Sequence, residues 1–143
     1  MGKILLAVSD RWIPDSRVDA IADFATRLGH PILVMHVAFG SSQTADSSLP
    51  GEKVLQQIAT RLRTKVGGGG GGGAKVETQM MFSDDLGDAI LKTAEDQKAT
   101  LIIIGLSSKG MITRLIEGNV AQAVVKDARM PVLLLPSDWT GPI

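Results

Sequence analysis

Between residues 105 and 120 the chain reads Gly105-Leu-Ser-Ser-Lys-Gly-Met-Ile-Thr-Arg-Leu-Ile-Glu-Gly118-Asn119-Val120, a run whose residue types suit the binding of an anion. Glycine permits close backbone approach and positive φ, and Ser107, Ser108 and Lys109 carry donors. Gly118-Asn119 opens a helix at Val120 whose first N–H groups lack an intrahelical acceptor. Together these would make a phosphate cradle. Spacing alone is better served by a strand-ending turn at Gly105 and an ordinary helix start at Gly118-Asn119.

Other candidates are weaker. Ser9 and Asp10 follow the first apolar run, and Trp12 lies in the connection after them, where packing onto the protein's own surface is the plainer expectation. His30 precedes Pro31 in a turn, and His36 sits in an apolar run just before Val37. Two histidines so far apart, with no cysteine anywhere, make a poor metal site. Asp84 and Asp85 are adjacent, so their carboxylates do not face one another, and they read as helix-start residues. No G-K-[S/T] phosphate loop and no Ser-Gly-Gly loop after the first run occurs, and no general base stands within the 105–120 segment. Turnover, if any, is expected to be slow.

The elements that must position these residues follow from periodicity. Short Ile-, Leu- and Val-rich runs, apolar on both alternating faces, predict buried parallel strands near 3–9, 31–38, 75–82, 100–105 and 131–136. Helical spacing appears between them at Val18, Ile21, Ala22, Ala25 and Leu28; at Val54, Leu55, Ile58 and Leu62; at Leu86, Ala89, Ile90, Thr93 and Ala94; and at Val120, Val124 and Ala128. Asp15 or Ser16, and Ser83 or Asp84, are placed to cap helix starts, Gly29 ends the first helix, and Arg61, Arg63 and Lys65 fall in the last turn of the second. Strict alternation predicts an open, doubly wound α/β sheet with strand order 3-2-1-4-5 or 2-1-3-4-5. Ligands bind such sheets at the carboxyl ends of the strands, where strand order reverses. In the first order that point lies between the first and fourth strands, so the loops after Ser9 and Gly105 face each other.

The 143 residues suit one domain spanning 1–143. Lys and Arg number 15 and Asp and Glu also 15, so the chain has no net charge and lacks the footprint of a nucleic-acid or anionic-membrane binder. Zero Cys and no long apolar run predict a cytoplasmic protein without a disulfide framework or membrane insertion. Seven consecutive glycines, Gly67 to Gly73, exceed any turn requirement and read as a flexible connection spanning roughly 15 Å. Residues 39–51 are polar and follow the second strand, which makes them a lid candidate.

The segment from Gly105 resembles the G-x2-G-x9-G-[S/T/N] motif of the universal stress protein family, and the helix and strand after it, ending Met130-Pro131-Val132-Leu133-Leu134-Leu135, are similar as well. Likeness extends to Lys3 to Val8, to Leu33-Val34-Met35-His36-Val37 and to Leu86 to Gly105. The resemblance implies an adenine nucleotide alpha-hydrolase-like fold with order 3-2-1-4-5 and a stress-response or regulatory role. It implies an ATP or AMP site in one branch of the family, with Mg2+ if ATP, and a nucleotide-free homodimeric interaction module in the other. Carried over, phosphates would lie on Gly105, Ser107, Ser108, Gly118, Asn119 and Val120, and the base near Ser9, Asp10 and Val37. Two matched positions depart: Ser108 stands for the second motif glycine, and Ser9 for an aspartate, with Asp10 one residue later. A serine forced to positive φ costs roughly 1–2 kcal/mol, and a hydroxyl in place of a carboxylate acceptor about 1–3 kcal/mol. Binding weakened rather than abolished is the expectation. The resemblance also implies a homodimer through the edge strand Val132, Leu133, Leu134 and Leu135, too apolar to stay unpaired. A further protein partner is left open.

Overall fold

The aliphatic runs become strands because each is buried from both sides, so that alternate residues enter separate cores. In the computed structural model, which describes residues 2–8, 14–39, 45–67, 75–105, 120–136, 139 and 141–143, they form one five-stranded sheet. The strands are β1 (Ile4–Val8), β2 (Ile32–Phe39), β3 (Val76–Ser83), β4 (Leu101–Gly105) and β5 (Val132–Leu135). All neighbours are parallel and the order is β3-β2-β1-β4-β5, which decides between the two orders that alternation permits. The helices are α1 (Asp15–Leu28), α2 (Ala45–Gly67) and α3 (Leu86–Asp96), with α4 over residues 120–127.

On one face, Ile4, Leu6, Ile32, Val34 and Ile103 pack with Val18, Ile21, Ala22 and Ala25 of α1 and with Val54, Leu55, Ile58 and Leu62 of α2. On the other, Leu5, Leu33, Met35, Ile102 and Ile104 meet Ile90 and Ala94 of α3 and Val124 of α4. The apolar stripes are therefore the buried faces, with one exception. Leu28 is 44% exposed, because the helix ends beside it at Gly29, whose φ of 68° reverses the chain.

Three local expectations are corrected. The residue preceding α1 is Pro14, and no side chain caps that helix; Asp15 is its first helical residue and acts only through charge at the positive end of the dipole. Asp85, rather than Ser83 or Asp84, caps α3, accepting from the Asp88 N–H at 3.0 Å. The Ser83 hydroxyl instead accepts from the Asp85 N–H at 3.0 Å and sets up that cap. The expected lid loop 39–51 is mostly helix, since β2 runs through Phe39 and α2 starts at Ala45. Within this helix Gly51 is buried against the His36 ring. Because α2 continues to Gly67, Arg61 and Arg63 lie before its last turn, where only Lys65 remains. Residues 68–74, the rest of the glycine run with its neighbour Ala74, and 40–44 lie outside the described residues.

Arg61 reaches from α2 to α1, pairing its Nε and Nη2 with the two Asp19 carboxylate oxygens at 2.8 and 2.9 Å. Those hydrogen bonds hold the Asp19 carboxyl below the usual carboxylate range, against a smaller opposing effect of burial. Arg63 donates to the Val76 carbonyl at the start of β3, tying α2 to the far edge of the sheet.

Candidate functional site

The sheet opens at one place along its carboxyl ends. The β1–β2 pairing runs to Val8 and His36, and β4–β5 runs to Gly105 and Leu135. Between β1 and β4, however, the last pair is Ala7 with Ile104. The helix that follows β1, α1, packs on one face of the sheet, and α4, which follows β4, packs on the other. A crevice at the reversal of strand order is the usual ligand position in such sheets.

Three of the residues expected at the site are described. Gly105 ends β4 on the β4 side of the crevice. Its φ is not in the left-handed region, and among the described residues an added Cβ would meet only Arg17 Nη1, at 3.5 Å, an ordinary contact. Neither backbone conformation nor packing against these residues requires glycine there. Val37 lies one residue past the last β1 pair, half-buried, packing into the core on the α3 and α4 side. Val120 is the first described residue of α4, and its carbonyl lies 3.8 Å from where a Cβ on Gly87 would be, so the starts of α3 and α4 pack closely. Ser9, Asp10, Ser107, Ser108, Gly118 and Asn119 lie outside the described residues.

Two residues to which sequence reasoning gave no role, His36 and Arg17, organise this pole. His36, only 7% exposed, donates from Nδ1 to the Val8 carbonyl at 2.9 Å, since a carbonyl can only accept. Its ring packs on Gly51 of α2, where a Cβ would collide with Nε2. His36 thereby fixes the end of β1, the residue before Ser9, to β2 and α2. Arg17 on α1 is 5% exposed and donates from Nε and Nη2 to the Trp139 carbonyl and from Nη2 to the Pro136 carbonyl, at 3.2, 3.0 and 2.8 Å. Its guanidinium also lies 5.9 Å from the centre of the Trp139 ring. The partners of Arg17 are 119 to 122 residues away in sequence, so no local pattern points to them; the one sequence signal was an arginine within an otherwise buried stripe.

Among the described residues no group of three or more His, Cys, Asp and Glu side chains could hold a metal ion. No helix among them is long and apolar enough to cross a membrane.

A five-stranded parallel sheet of order β3-β2-β1-β4-β5 with helices on both faces defines the doubly wound α/β class, and comparison with known proteins narrows it. The model of the universal stress protein family matches residues 1–136, and the chain belongs to that family. It is 28% identical over 120 residues to universal stress protein G of Salmonella typhimurium, covering 80% of this chain and 83% of that one. The structure of the universal stress protein from Archaeoglobus fulgidus in complex with dAMP has the same fold, with a TM-score of 0.70 and 23% identity, covering 94% of this chain and 97% of that one. A universal stress protein in complex with cAMP superposes with a TM-score of 0.69 at 17% identity, over 96% and 98% of the two chains.

Proposed function

We propose that this chain is a stress-response or regulatory domain that binds an adenine nucleotide, AMP or ATP with Mg2+, at the β1/β4 crevice, and acts as a sensor rather than a turnover enzyme. The observation that carries the reading is the register at this reversal of strand order: β1 and β4 are paired as far as Ala7 and Ile104, while β1–β2 pairing runs on to Val8 and β4–β5 pairing to Gly105. Gly105 supports it, because a glycine that the described packing does not need is free to serve the close approach of a ligand. The dAMP and cAMP complexes of fold neighbours lend the ligand class. Base contacts are assigned to Ser9, Asp10 and Val37, and phosphate contacts to Gly105, Ser107, Ser108, Gly118, Asn119 and Val120.

Calorimetric titration of AMP and of ATP with Mg2+ tests this. Saturable binding below about 100 μM, lost in Gly118→Arg, is expected. No heat at millimolar nucleotide would leave the nucleotide-free interaction module as the reading. Under either reading the chain forms a homodimer by pairing β5 with its copy. Leu134 is 38% exposed on that edge, and Val132 and Leu133 are only half-buried. Leu134→Lys should convert a dimer to a monomer by light scattering, and a wild-type chain that is monomeric at high micromolar concentration contradicts the dimer.

A further inference from the structure

The chain after β5 packs on the α1 side of the sheet, beside α1. On the α1 side of the sheet, α1 and α2 lie over the core that β1, β2 and β3 contribute to, and Leu133 and Leu135 of β5, with Ile103 and Leu101 of β4, share that core with Trp139 and Ile143. The segment follows α1 from start to end. Arg17 holds the carbonyls of Pro136 and Trp139, Gly141 lies so close that a Cβ would come within 2.8 Å of the Ala20 Cβ, and Arg27 donates to the Ile143 carbonyl at 2.8 Å. Trp139 Nε1 donates to the Pro142 carbonyl at 3.3 Å, closing the segment on itself.

Its anchor lies where the crevice begins. Arg17 stands two residues after the start of α1, close to the exit from β1; its Nη1 faces Gly105 at the exit from β4; and its other donors hold Pro136 at the exit from β5. One planar guanidinium thus bonds the chain leaving β5 and lies beside Gly105, where an added Cβ would stand 3.5 Å from its Nη1. Arginine suits this task because its donors are fixed in one plane, so moving one partner displaces the others. Glycine at 105 has no side chain with which to hold its own place, and the guanidinium is its neighbour on that face.

We propose that Arg17 is a positioning residue that couples docking of the segment after β5 to the order of the β4 exit, so that seating of this segment and occupancy of the crevice favour each other. The ligand side of this proposal rests on the nucleotide reading above; the link between segment and Gly105 does not. Linkage requires the effect to run both ways, so a ligand that settles the Gly105 backbone tightens the segment, and a loosened segment weakens the ligand.

The test compares the full chain with Arg17→Met, Arg17→Lys and Gly141→Val, each first shown to be folded by circular dichroism. Gly141→Val lifts the segment without touching Arg17, because φ at this position is 98° and a side chain would strike Ala20. Amide hydrogen exchange is followed in the peptides containing Gly105 and Trp139, and AMP affinity by titration. Arg17→Met and Gly141→Val should each speed exchange in both peptides and raise the AMP Kd by about tenfold, a typical coupling. Arg17→Lys should restore part of both effects, and the double variant should bind no more weakly than Arg17→Met alone. The proposal is overturned if exchange at Trp139 rises while that at Gly105 and the AMP Kd stay at wild-type values, or if Arg17→Met leaves Trp139 protected. Should wild-type chain bind no AMP, the nucleotide reading fails by itself. The coupling then stands if both variants accelerate the Gly105 peptide and falls if they do not.

Discussion

The two faces of the sheet are closed by different means. On the α3 and α4 side two helices meet at close range, with Gly87 of α3 placed so that a Cβ would lie 3.1 Å from that of Ala123. The core beneath them is made of Leu5, Met35, Ile90, Ile102 and Val124, each nearly or fully excluded from water. On the α1 side a comparable core fills the space under α1 and α2, but the corner over β4 and β5 is closed by Trp139, Ile143 and a buried arginine. Helix-on-sheet packing draws its stability from many small apolar contacts and has no single critical group. The corner depends instead on a few polar bonds, and it adjoins the β1–β4 pairing, which among the described residues ends one residue before its strands do. Arg17 thus adds directional bonds beside the opening, as Arg61 does between α1 and α2 and Arg63 at the far edge of the sheet, while the cores themselves are aliphatic.

Truncations at the two kinds of site should separate them most sharply. Ile21→Ala, beneath α1, is expected to lose about 2–5 kcal/mol by denaturant unfolding. Leu133→Ala, under the segment after β5, should cost about 1–2 kcal/mol, because part of that side chain is already in water. Equal losses would mean that the corner is as firmly packed as the helical core. On the opposite face, Asp85→Ala removes the α3 cap and should lower stability by about 1 kcal/mol, whereas Asp84→Ala should change it little. A reversed ranking would contradict the cap.

The smallest effect concerns the bridge between α1 and α2. Asp19 has a folded-state pKa below its unfolded value, so its pairing with Arg61 contributes stability at neutral pH, and that contribution is lost as pH falls through the folded-state pKa. Asp19→Asn should therefore be slightly less stable than wild type near pH 7, with the gap closing in acid below about pH 3–4. A gap independent of pH would show that the effect is not electrostatic. Because both partners are about a third exposed, added salt should also narrow it.

Much of this architecture could be read from residue spacing. The runs Ile4–Val8 and Leu101–Gly105 announce buried parallel strands because each is apolar on both faces, and the stripe Val18-Ile21-Ala22-Ala25 announces the helix that covers them. Periodicity alone could not choose between two strand orders, since both place helices on both faces; the family resemblance made that choice. Near element ends the reading slipped by a residue or more, as at Asp85 and at the start of α2, because several residues with capping chemistry stand side by side there. Near the β1/β4 reversal, the places of Gly105, Val37 and Val120 in the fold were legible from the resemblance. Arg17 and His36 were not, because what gives them their roles is a carbonyl brought near by the fold: Pro136 and Trp139 for one, Val8 for the other. A backbone carbonyl has no residue type, and so leaves no trace in the sequence.

The central claim is that an adenine nucleotide enters at the β1/β4 opening. Its most direct test is an amide chemical-shift map of the chain titrated with AMP. The account predicts saturable shifts at Val8, Val37, Gly105 and Val120, with Gly2, Lys3 and Thr100 at the opposite pole unmoved. Shifts confined to that other pole, or none at millimolar AMP, would contradict it.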